Sequence, residues 1–95
     1  MPSYEFIYLG STPANEKPLP VGDPGVWDEC QRWRRQLEKK FGASKPETCS
    51  FRIMREAHEF GSYYEVAIRF DPSDRRALDW AYEVESNLPT EWVTP

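Results

Sequence analysis

Two runs of alternating hydrophobicity, residues 48–58 and 62–70, stand almost back to back, and they constrain the fold more than any other feature. In a strand, successive side chains point to opposite faces. One face of the first run carries Cys49, Phe51 and Ile53, and one face of the second carries Tyr64, Val66, Ile68 and Phe70. The pair reads as a β-hairpin with an apolar face that another layer must cover. For both sets to share that face, odd positions of the first arm must pair with even positions of the second. A two-residue loop at Phe60-Gly61, with Glu59 opposite Ser62, meets this condition. That register sets Arg52 against Arg69, Met54 against Ala67, Glu56 against Glu65 and His58 against Tyr63.

Two amphipathic helices supply the cover. Asp23-Pro24 reads as an N-cap followed by proline at the first helical position. Val26, Cys30, Trp33, Leu37 and Phe41 recur at three- and four-residue spacing and mark a buried stripe, and Gly42 is expected to be a left-handed C-cap. Arg32, Arg35 and Lys39 gather on a different face, and Lys39 and Lys40 complement the C-terminal end of the helix dipole. Asp71-Pro72 repeats the start signal for a second helix striped by Ala77, Ala81, Val84 and Leu88, which Pro89 stops.

Residues 3–9 read as a strand with apolar groups on both faces, Tyr4, Phe6 and Tyr8 on one and Ile7 and Leu9 on the other. Residues 11–23 hold Pro13, Pro18 and Pro20 without a hydrophobic period and read as a long loop, a candidate contact site. The tail, residues 89–95, contains Trp92-Val93 and forms either a short fourth strand or a docked tryptophan. The order β-α-β-β-α gives a two-layer α+β sandwich with both helices on one face of an antiparallel or mixed sheet. With a short C-terminal strand it is ferredoxin-like, of order 4-1-3-2; without one it is a truncated variant with three strands.

A chain of 95 residues accommodates one domain and one core, here residues 1–95. Its hydrophobic content of 39% and charged content of 29% exclude the disordered class. Cys30 and Cys49 both fall on core-facing positions and build no disulfide framework. Residues 1–10 lack the pattern of a signal peptide, and no apolar run is long enough to cross a membrane. Cytoplasmic residence with reduced thiols is the expectation.

No catalytic constellation emerges. A single histidine precludes a multi-histidine metal site in a monomer, the two cysteines lack paired metal or redox spacing, and there is no phosphate loop, nucleophile elbow or dinucleotide fingerprint. No cofactor or metal is expected, and a non-enzymatic role is favoured. Three surfaces remain. The hairpin register places Glu56, His58 and Glu65 together on the sheet face away from the helices, an arrangement that suits an acid–base or ligand site in a small enzyme. Helix residues Arg32, Arg35, Lys39 and Lys40 are candidate phosphate contacts, and the segment Gly61–Phe70 resembles the aromatic strand motif of ferredoxin-like RNA binders. It departs from that motif: no basic residue precedes the glycine, Glu65 intrudes, and the net charge of −4 opposes a polyanion. The third surface is the outer sheet face itself, with Met54, Tyr63 and Ala67 between Arg52 and Arg69. Its apolar character, together with an aromatic content of 15%, points to a protein partner or a second copy of the chain.

Overall fold

The computed structural model describes residues 3–93, so Thr94 and Pro95 of the expected tail lie outside the described residues. The fold is α+β, with two helices and a four-stranded antiparallel open sheet. The strands are β1 (Glu5–Tyr8), β2 (Leu19–Pro20), β3 (Ser50–His58) and β4 (Gly61–Phe70), and the helices are α1 (Val26–Phe41) and α2 (Arg75–Ser86). β4 is central. β3 flanks it on one side, while β1 and β2 lie in tandem along the other.

The hairpin keeps the expected parity, with Phe51 opposite Ile68 and Ile53 opposite Val66. Its register differs from the expected one by two residues. His58 faces Gly61, so the two-residue turn is Glu59-Phe60. Consequently Arg52 faces Ala67, Met54 faces Glu65 and Glu56 faces Tyr63. Backbone geometry gives the reason. A Phe60-Gly61 loop of the primed type would drive Phe60 to positive φ, a conformation bulky residues avoid. Moving the turn back by one leaves Gly61 alone with positive φ, at 138°.

β1 and β2 are two pieces of one edge strand. Tyr8 faces Ala67 and Leu19 faces Tyr64, so eleven residues of chain span what three residues of β4 span. Eight residues are therefore looped out of an otherwise continuous register. The departure begins with a bulge, in which Leu9 N–H donates to Val66 C=O at 2.8 Å while Val66 N–H turns to the Gly10 carbonyl at 2.9 Å. The Leu9 carbonyl thus released accepts from Trp33 Nε1 at 3.4 Å. The excursion is held mostly by itself. Ser11 N–H reaches Asn15 C=O at 3.2 Å, Ser11 Oγ donates to Lys17 C=O at 3.0 Å, and Lys17 N–H reaches Asn15 Oδ1 at 3.0 Å. The expectation of an unstructured loop over 11–23 is thus corrected: proline at 18 and 20 did not prevent pairing, because an edge position leaves one side of the backbone without need of a donor.

The stripes of both helices close the core against one sheet face, where Trp33, Leu37, Val66, Ile68, Phe70, Ala81 and Val84 are all buried. Trp80, beside the stripe of α2, is buried too and meets Phe51 edge-on at 5.5 Å. The helix starts need two corrections. α1 begins at Val26 behind Gly25, whose φ of 78° breaks the helix, and Asp23 caps nothing. At the other end Gly42 has φ −64° and continues into a 3₁₀ turn, Gly42–Ser44, instead of reversing the chain. In α2 the cap is Asp74, which accepts from the N–H groups of Arg76 and Ala77.

The ferredoxin-like order of four strands is not formed. The fourth strand comes from the proline-rich segment, and residues 87–93 contain no strand. Trp92 instead docks on α1: it meets Trp33 edge-on at 5.9 Å beneath the Arg32 guanidinium, while Gln36 bonds the backbone of Glu91 and Val93 on either side.

Candidate functional site: the open sheet face

The chain is only 18 Å across its thinnest dimension, room for the sheet and a single layer of helices. Among the described residues, no helix covers the other sheet face. Ile7 and Leu9 point into the core, which settles the two-sided first strand and places Tyr4, Phe6 and Tyr8 outward. The cross-strand rows of this face follow from the register. Phe6, Arg69 and Ser50 form one row, and Tyr8, Ala67 and Arg52 the next. Glu65 with Met54 and then Pro20, Tyr63 and Glu56 complete the face toward the turn.

Aromatic contacts tie the rows together. Phe6 and Tyr8 stack at 6.4 Å, and the Arg69 guanidinium lies 3.7 Å from the centre of the Tyr4 ring. His58 meets Tyr63 edge-on at 5.2 Å. Tyr4 and Tyr8 are 40% and 44% exposed, so their rings offer contact area to an approaching surface. Ala67, between Tyr8 and Arg52, is fully buried, because its methyl group is shorter than everything around it. It belongs to the floor of the face and not to its contact surface. Met54, Tyr63, Arg52 and Arg69 stand on that face, and of the two sets the sequence left open for the first strand, Tyr4, Phe6 and Tyr8 join them while Ile7 and Leu9 do not.

Charge is divided along the strands, with Arg52 and Arg69 toward one end and Glu56 and Glu65 toward the other. Glu56 and Glu65 are diagonal neighbours and not the directly opposed pair that the expected register gave. His58 Nε2 lies 3.5 Å from Glu56 Oε2, and the Tyr8 hydroxyl donates to Glu56, which raises the pKa of that phenol. Glu65 is almost fully buried, with its pKa raised first by that burial and then by the charge of Glu56. The backbone of Gly10 hydrogen-bonds its carboxylate and partly offsets the rise. Glu65 therefore serves the fold: it satisfies the backbone where the edge strand bulges away. Beside the group lies an open depression of about 330 Å³ lined by Pro18, His58, Phe60 and Tyr63. Among the described residues, no three of His, Cys, Asp and Glu converge as ligands for a metal ion.

Arg32, Arg35, Lys39 and Lys40 of α1 are all exposed, with the Arg32 guanidinium 4.3 Å from the centre of the Trp92 ring and Lys40 over the Phe41 ring at 5.5 Å. Both cysteines are free and buried, and burial pushes the Cys30 thiol up to about 11. No described helix is long and apolar enough to cross a membrane. Compared with known proteins, the chain finds no significant match to any family model, curated protein or solved structure.

Proposed function

We propose that the chain is an interaction module that pairs with a second copy of itself through the open sheet face. The observation that carries this reading is the combination of aromatic rows and divided charge on a face that no described helix covers. Met54 lies midway between Arg52 and Glu56 on β3. A two-fold axis in the interface plane, perpendicular to the strands and passing by Met54, sets each Arg52 against Glu56 of the other copy. The alternative axis, parallel to the strands, would stack arginine ends together and is disfavoured. Three strands about 4.8 Å apart and some nine residues rising about 3.3 Å each give a footprint of roughly 15 by 30 Å. That is the low end for specific association, so a reversible dimer with Kd in the micromolar range is expected.

Sedimentation equilibrium with a charge swap tests it. Arg52→Glu and Glu56→Arg should each be monomeric where the parent dimerises, and mixing the two should restore a heterodimer. A parent that stays monomeric at hundreds of micromolar, or variants that dimerise alone, would refute the reading. A monomer that instead binds single-stranded oligonucleotides in a salt-dependent way would transfer the aromatic rows to base stacking.

A further inference from the structure

The second open surface is the outer edge of β3. Which of its backbone groups are free follows from the opposite side of the sheet. Val66 bonds Leu9 and Gly10, and the Ser62 carbonyl accepts from Val21, so even-numbered residues of β4 direct their N–H and C=O groups toward β1 and β2. Odd-numbered residues of β4 must then bond β3, through their partners Ser50, Arg52, Met54, Glu56 and His58. The intervening Phe51, Ile53, Arg55 and Ala57 direct their N–H and C=O groups away from the sheet, and β3 pairs with β4 alone. This is a continuous edge with no bulge and no proline, unlike the opposite edge.

α1 runs above this edge and makes a groove of about 410 Å³ with it, lined by Trp27, Arg34, Ser50, Phe51, Arg52 and Ile53. Trp27, half exposed, is braced by Tyr64 at 5.2 Å and forms an apolar wall. Arg34 is the unusual member. Its Nε is shut off from solvent and has no hydrogen-bond partner, and no carboxylate among the described residues pairs with its guanidinium. Arginines that merely guard a strand edge keep their donors in water. That N–H is itself out of a partner's reach, but Arg34 lines the groove without an ion-pair partner among the described residues, and a carboxylate meeting its terminal nitrogens accepts two parallel bonds. Arg52 and Arg55, both exposed on the same strand, add positive charge beside the groove.

We propose that this groove receives an extended acidic segment of a partner protein as an added β-strand. Its backbone pairs with residues 51–57 and one Asp or Glu side chain bonds Arg34. The groove adjoins the open sheet face and shares Ser50 and Arg52 with it, whereas Trp27, Arg34, Phe51 and Ile53 belong to the groove alone.

The test uses a library of random eight-residue peptides displayed on phage and selected against the intact protein. Enriched sequences should alternate apolar and polar residues, with Asp or Glu fixed at one position. A synthetic peptide from the selection should slow amide exchange at Phe51, Ile53, Arg55 and Ala57. N-methylation of its edge-facing amides should abolish binding. Arg34→Met, which keeps the aliphatic stem, should weaken that peptide at least tenfold while leaving its Glu→Gln analogue unaffected. The proposal is overturned if nothing enriches, if enriched peptides show no acidic preference, if protection falls elsewhere, or if the edge amides are already protected by a second copy of the chain.

Discussion

The eight-residue excursion gives the sharpest test of the fold. Removing residues 11–18 joins Gly10 to Leu19, and the new register is continuous: Leu9 faces Val66, Gly10 faces Glu65 and Leu19 still faces Tyr64. Two sets of terms oppose one another. Four excursion bonds, those of Ser11 to Asn15 and Lys17, of Asn15 to Thr12 and of Lys17 to Asn15, disappear, each contributing about 0.5–1.5 kcal/mol. The Trp33 bond to the Leu9 carbonyl goes as well, when that carbonyl turns back to Val66. Against this, closure of an eight-residue loop costs about 1.8 kcal/mol from its length dependence alone, and ordering its backbone costs more. These terms nearly cancel, so the deletion should fold with a stability within about 2 kcal/mol of the parent in urea titration. Gly10→Ala supplies the internal control. In the parent, an added Cβ would sit 2.3 Å from the Asn15 carbonyl oxygen at a backbone φ of +80°, and a loss of more than about 2 kcal/mol is expected. In the deletion the same position is an ordinary extended one and alanine should be neutral or better. A deletion that fails to fold, or an alanine equally harmful in both backgrounds, would refute the description of β1 and β2 as one interrupted strand.

Two further outcomes follow from buried titratable groups. The native pKa of Glu65 is raised by burial and by Glu56, so its contribution to stability is full below the ordinary carboxylate value of about 4.3 and is lost as pH rises through the native value. Glu65→Gln, which keeps an acceptor for Gly10, should therefore stabilise by up to about 1 kcal/mol at pH 7 and show no gain below pH 4; destabilisation at pH 7 would contradict this. Cys30, with its thiol pushed up to about 11, should resist iodoacetamide at pH 8 until the chain unfolds, whereas alkylation at the rate of a free thiol would place it outside the core.

The core was legible in the sequence because period and burial coincide. The stripe Val26, Cys30, Trp33, Leu37 and the alternating faces of the hairpin needed no tertiary information to be found, and Cys49 and Phe51 are buried where alternation put them. The register was less legible, because parity constrains a hairpin only to steps of two and the choice between them depended on which turn residue tolerates positive φ. That step separated Glu56 from a direct pairing with Glu65, yet the two remain neighbours, since a two-residue slip preserves the face. The pairing of Leu19 with Tyr64 was not legible, because two paired residues carry no period and the flanking prolines signal a loop. Arg34 left no signal either: one arginine among several on a helix looks solvated until the strand edge beneath it is known.

The two sides of the sheet differ in how they would behave toward more copies of themselves. The side built from β1 and β2 is broken by a bulge, an excursion and prolines at 18 and 20, while β3 is uninterrupted. Growth of a cross-β ribbon needs two open sides per unit, one to accept and one to offer. This chain offers one, so pairing along β3 is self-terminating: a single strand, whether from a partner or a copy, exhausts it. The excursion thus acts as a chain stopper, and restoring the continuous strand would be expected to open the route to linear polymers that the native sequence closes.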